Sequence, residues 1–166
     1  FDIPALKAAL SHHSILFITK RSLLYVPITG LYLWRMGYPL VNRKNPEQAR
    51  QILNRATEQV RRGTSMVVFA EGTRTNSGEI GEFKGGAFVM AIESQRPIIP
   101  VTISGSMAVM GRDSAAVRSG HIQIHLGEVI PTQGLELDDK WALSQSVREK
   151  ILSQYENQRT DSDRLA

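Results

Sequence analysis

A strongly apolar run at 65–70, SMVVFA, ends in the polar cluster Glu71-Gly72-Thr73-Arg74-Thr75. In an open α/β sheet ligands bind beyond the carboxyl ends of strands, so a site is expected here. Gly72 permits close backbone approach, Thr73 and Thr75 offer hydroxyl donors, and Arg74 presents a planar fork that matches phosphate oxygens. The cluster reads as an anion-binding turn. The plainer alternative is a surface loop with one arginine and two threonines. The four histidines offer less. His12 and His13 stand just ahead of an apolar run, where a turn is expected, and His121 and His125 would share one face of a strand with no third ligand nearby, so no metal is assigned. Cysteine is absent. That excludes disulfides, thiolate catalysis and cysteine-based zinc sites, and it fits a reducing compartment.

Several elements must position the turn. Residues 2–10 predict a short helix that Asp2 can cap, and 14–19 (SILFIT) a buried strand. The segment 23–34 (LLYVPITGLYLW) is apolar and aromatic, broken by Pro27 and Gly30 and flanked by Lys20, Arg21 and Arg35. It is too short to span a bilayer as one helix. It reads either as an interfacial segment, with aromatic rings and cations at headgroup depth, or as two short core helices joined at the proline. A short strand at 39–42 precedes Asn45-Pro46, a cap and first-turn proline for a helix over 46–62 whose apolar face is Ala49, Ile52, Leu53, Ala56 and Val60. The pattern then predicts a strand at 65–70, a helix over 84–94, strands at 98–103 and 121–126, a helix from 139 to 157, and a disordered polar tail over 159–166. Strands alternating with helices imply one α/β domain, a mixed, largely parallel sheet flanked by helices.

The 166 residues, 42% hydrophobic, suit a single core. The first residue is Phe1, so the chain is expected to begin inside a longer protein, with any signal or anchor upstream. Residues 1–62 carry ten Lys/Arg against three Asp/Glu, whereas 63–166 carry ten against thirteen. An N-terminal basic excess points to an anionic partner, nucleic acid or a phospholipid surface, unless it is only a solvated helix face. Nucleic acid is disfavoured, because the arginines at 43–62 lack interleaved aromatics and no recognition motif is present.

Four ordered blocks resemble the glycerolipid acyltransferase family, and within it the 1-acylglycerol-3-phosphate (lysophosphatidic acid) acyltransferases. These are TKRSLLYVPITG at 19–30, GYPLVNR at 37–43, FAEGTRT at 69–75 with FKGGAF at 83–88, and PIIPV at 97–101. The family's defining motif is His-x-x-x-x-Asp. Asp2 matches its aspartate, and the histidine would lie five residues earlier, before Phe1. Neither His12 nor His13 replaces it, since the residues five positions on are Phe17 and Ile18.

The resemblance implies a glycerolipid-acyltransferase-like domain over 1–166, incomplete at its N-terminus. The activity implied is acyl transfer from a coenzyme A or acyl-carrier-protein thioester to the sn-2 hydroxyl of 1-acylglycerol 3-phosphate, giving phosphatidate in phospholipid biosynthesis. The upstream histidine would deprotonate the hydroxyl and Asp2 would orient it. Arg74, Thr73 and Gly72 would hold the phosphate, with Lys20, Arg43 and Lys84 as further cations and Glu71 organising the turn. The thioester is a co-substrate, so no cofactor is expected. The expected partners are lysophosphatidate, the thioester, a membrane surface at its cytoplasmic face and, where it is the donor, acyl carrier protein. The chain as given is expected to be inactive. Alternatives are another acceptor (glycerol 3-phosphate, a different lysophospholipid or an acylated amine) and a non-catalytic module that binds anionic lipid.

Overall fold

A computed structural model of the protein describes residues 2–20, 31, 35, 38–41, 45–72, 79–111 and 116–164, with backbone alone for Lys20 and 159–164. The 23–34 segment singled out above lies largely, and Arg43, Thr73 and Arg74 lie wholly, outside the described residues.

Helix α1 (Asp2–Ala9) buries Leu6 and hands the chain to β1 (Ile15–Lys20). Along β1 the side chains of Ile15, Phe17 and Thr19 are buried in turn, the period of two that a strand with one face in the core must show. β2 (Leu40–Val41) and β3 (Ser65–Val68) flank β1, both parallel to it, with Thr19 opposite Leu40 and Phe17 opposite Val67. Between them runs α2 (Pro46–Arg61). Its start is as expected: Pro46 occupies the first turn and Asn45 Oδ1 accepts from the Gln48 N–H at 3.0 Å. Ala56 is fully buried while Arg50 and Arg55 are exposed, so the amphipathic face is the one the spacing gives.

β3 stops at Val68, before the expected 70, because the chain is already turning: the Gly72 N–H donates to Phe69 O at 3.0 Å. α3 (Gly86–Ser94) then buries Phe88, Met90, Ala91 and Ile92. A Cβ on Gly86 would come within 3.1 Å of Leu53 Cδ1, so α2 and α3 cross closely there. Gln95, with φ 53°, ends the helix, and its amide bridges Ile92 O and Leu135 O. β4 (Val101–Ser104) begins after the expected 98, since Pro100 has no N–H to give a ladder; Ile98 instead exchanges two hydrogen bonds with Ile130. The short α4 (Ser106–Val109) leads to β5 (Gln123–Leu126), antiparallel to β4. β5 starts two residues beyond His121, which therefore lies outside the strand predicted to carry it.

The α/β class is as read from the sequence, with a parallel sheet flanked by helices. Among the described residues the strands form a parallel sheet in the order β2-β1-β3 and an antiparallel pair β4-β5. A 3₁₀ turn (Leu137–Asp139) precedes α5 (Lys140–Arg164), closed by the Glu136 N–H donating to Asp139 Oδ2 at 2.8 Å. The backbone of α5 runs through 159–164, where the polar composition predicts disorder; the sequence from 135 onward holds no glycine or proline to stop a helix.

Two apolar clusters support these elements. Leu6, Ile15, Phe17 and Tyr38 form one, with β4 and β5 contributing Val101, Ile103 and Ile124. Phe83, Phe88, Ile92, Leu143 and Val147 form the other, in which α5 packs on the segment that follows the Glu71 turn.

Candidate active site

The stretches 65–71 and 97–107 both line a cavity of about 800 Å³. Met66, Val68, Phe88, Met90, Ile99 and Met107 give its wall a mostly apolar character. The volume lies in the range of small-molecule sites, roughly 300–1,000 Å³. Two of the residues singled out from the sequence open on this one space: Asp2, from the start of α1, and Glu71, from the end of the β3 segment.

Asp2 stands in the first turn of α1, where a carboxylate meets the favourable end of the helix dipole. Its Oδ1 is buried and has no hydrogen-bond partner among the described residues. A carboxylate oxygen withdrawn from water without a donor is costly, so such an atom calls for a donor from elsewhere.

Glu71 and Gly72 form the base of the turn. Gly72 has φ 73°, in the left-handed region where only glycine is unstrained, so glycine is required there by the backbone itself. Glu71 Oε2 accepts from the Gly81 N–H at 3.1 Å, across ten residues. Lys84 lies at the same base through its backbone, its N–H donating to Ala70 O at 2.8 Å, while its side chain is exposed. The structure therefore brings Asp2 and Glu71 to one cavity, with Gly72 and Lys84 at the turn's stem. The side chain of Lys20, and Arg43, Thr73 and Arg74, fall outside the description.

One contributor was not anticipated. From α5, Arg148 Nε donates to Gly81 O at 3.1 Å and Nη2 to Ile80 O at 3.0 Å. No sequence signal marks it, because its partners are main-chain carbonyls more than sixty residues away. Of the histidines, His13 lines the cavity, but His12, His13, His121 and His125 are all exposed. Among the described residues no three His, Asp or Glu groups are placed to hold a metal ion, and no helix is long and apolar enough to cross a membrane.

Comparison with known proteins adds to this geometry. The chain is 32% identical over 145 residues to a sheep (Ovis aries) 1-acyl-sn-glycerol-3-phosphate acyltransferase alpha, covering 87% of this chain and 50% of that protein. It is 33% identical over 127 residues to the human (Homo sapiens) beta enzyme of the same name, covering 76% of this chain and 46% of the other. The chain thus spans about half the length of these relatives. The crystal structure of the 1-acyl-sn-glycerophosphate (LPA) acyltransferase PlsC from Thermotoga maritima shares the fold, with a TM-score of 0.71 at 22% identity over 88% of this chain and 57% of that one. The family model described as Acyltransferase matches residues 1–104, from Asp2 through the Glu71 turn to β4. On that match, the chain belongs to the acyltransferase family.

Proposed function

We propose that the protein to which this chain belongs esterifies the sn-2 hydroxyl of 1-acylglycerol 3-phosphate from a coenzyme A or acyl-carrier-protein thioester, producing phosphatidate. The observation that carries this reading is that Asp2, whose buried Oδ1 has no partner among the described residues, and Glu71 line one mostly apolar cavity. The names of the relatives support lysophosphatidate as the acceptor.

The chemistry follows from what each group can do. The motif puts a histidine five residues before Asp2, and its imidazole N–H is the donor that Asp2 Oδ1 calls for. Held in that tautomer, the other ring nitrogen takes the proton of the sn-2 hydroxyl as its oxygen attacks the thioester carbonyl carbon. The tetrahedral intermediate collapses with cleavage of the C–S bond, and the departing thiolate takes the proton back from the imidazolium. Ester and free thiol result, so atoms and charge balance with no covalent acyl-enzyme.

The acceptor's phosphate is assigned to Arg74, Thr73 and the backbone at Gly72, with Lys20 and Arg43 as additional cations. Lys84, exposed at the stem, serves a phosphate of either substrate. The apolar cavity suits acyl chains. Substrates of this kind reside in bilayers, which supports a membrane-associated enzyme working at the cytoplasmic face, with the basic N-terminal half toward anionic lipid.

The test compares acyl transfer to lysophosphatidate by this chain and by a version extended upstream through the histidine. Turnover is expected only from the extended protein. Equal rates from both would remove the histidine from its role, and binding of lysophosphatidate with turnover by neither would leave a lipid-binding module.

A further inference from the structure

We infer that Arg148, on the C-terminal helix, is a positioning residue for the acceptor phosphate; the inference rests on the reading of the Glu71–Arg74 turn as the phosphate site. The Ile80-Gly81 peptide region is gripped by two charged side chains. The Glu71 carboxylate takes the Gly81 N–H, and the Arg148 guanidinium gives one hydrogen bond to Gly81 O and another to Ile80 O. Glu71 precedes residues 73–78 in the sequence and Gly81 follows them, so these contacts tie together the two described flanks of the stretch that holds Arg74. The Lys84 N–H to Ala70 O bond closes the same stem one step further down.

Arg148 is itself held in direction. Leu143 and Val147 are 6% and 4% exposed, and Ile151 packs with them on Phe83 and Phe88, so α5 cannot rotate without leaving that cluster. Val147 points into the cluster and Arg148, the next residue, points along the adjacent face to the 80–81 carbonyls. The planar guanidinium spans two carbonyl oxygens at once, which an ammonium does less well. Arg148 lies outside residues 1–104, the part that matches the family model. A helix beyond the matched region thus sets the frame of the turn.

Arg148→Ala and Arg148→Lys, made in the version that carries the histidine, test this. Arg148→Ala should raise KM for lysophosphatidate about tenfold, the scale of one charge-assisted hydrogen bond, and Arg148→Lys about threefold. KM for the acyl thioester should stay within about twofold in both, which a general loss of stability would not spare. Amide exchange in this chain should quicken at Gly81 and around 79–84 in Arg148→Ala, with β1 unchanged. The lysine variant keeps the charge and the helix, so the test remains readable where the alanine variant is unstable.

Equal rises in both KM values, or faster exchange with an unaltered lysophosphatidate KM, would overturn the positioning role. The double variant Arg74→Ala/Arg148→Ala should lose less than the product of the two single effects, because both act through one turn. Unaltered lysophosphatidate kinetics in Arg74→Ala alone would refute the phosphate turn, a result separate from the Arg148 measurements, which still report whether α5 governs acceptor binding.

Discussion

Arg74 is the residue on which the proposed phosphate site depends most. Its rival role is to pair with a nearby carboxylate and shape the loop, and Glu71, the nearest in sequence, is engaged by the Gly81 N–H. Losing one partner of a desolvated charge pair costs about 2–5 kcal/mol, so Arg74→Ala should lower kcat/KM for lysophosphatidate by roughly thirtyfold to several thousandfold. Arg74→Lys should recover only part, because the ammonium keeps the charge and loses the fork. Separate KM values for acceptor and thioester check this; a loss shared by both, with a lower Tm, would make Arg74 a loop-shaping residue. Asp2→Asn should act on kcat, by about a hundredfold or more, because it removes the group that fixes the imidazole tautomer while leaving the phosphate contacts in place. Its Tm should change little, since Oδ1 has no described partner to lose. Asp2, Gly72 and Glu71 were legible in the sequence because motif spacing and backbone demands are local. Arg148 was not, because its bonds go to main-chain oxygens that carry no residue identity.

At the scale of elements, the readable features were those whose cause lies within a few residues. Asn45 and Pro46 announced α2, and Asn45→Ala should lower stability by about 1 kcal/mol in denaturant titration, with catalysis in the extended protein unaffected. The boundaries of β3 and β4 moved for equally local reasons, the early turn at Phe69 and the missing N–H of Pro100, once their partners were known. Strand pairing could not be read the same way. The expectation of a mixed, largely parallel sheet did not say which strands would run antiparallel: β5 follows β4 without an intervening long helix, and the short α4 leaves the chain free to return antiparallel. Gly105, between β4 and α4, shows how tight that return is. Its φ is 80°, and a Cβ there would stand 2.1 Å from His121 O, a main-chain atom. Gly105→Ala should therefore destabilise the β4-β5 pair by more than about 1 kcal/mol, visible as faster amide exchange across both strands. Unchanged protection would mean that the connection can shift as a body.

At the scale of the whole molecule, the open matter is what the basic N-terminal half meets. Part of that charge is already committed: Arg62 Nε lies 2.9 Å from Glu58 Oε1, and Arg61 donates to Glu93 O. The arginines of α2 thus behave largely as a solvated face with local partners, and the proposed lipid contact is assigned to the 19–35 segment, where Lys20, Arg21 and Arg35 surround aromatic and aliphatic residues. Leu31, described within that segment, is 66% exposed. Leu31→Ser/Trp34→Ser should weaken cosedimentation with anionic vesicles, and neutralising Lys20 and Arg21 should weaken it further by roughly 1 kcal/mol per charge, an effect that added salt erases. Arg50→Gln/Arg55→Gln, on the exposed face of α2, serves as the comparison and should matter less. If that pair abolishes binding while the 19–35 variants do not, the charge of α2 carries the contact and the aromatic segment belongs to the core. If the folded 19–35 variants bind neutral and anionic vesicles as the unaltered chain does, the membrane contact lies outside this chain.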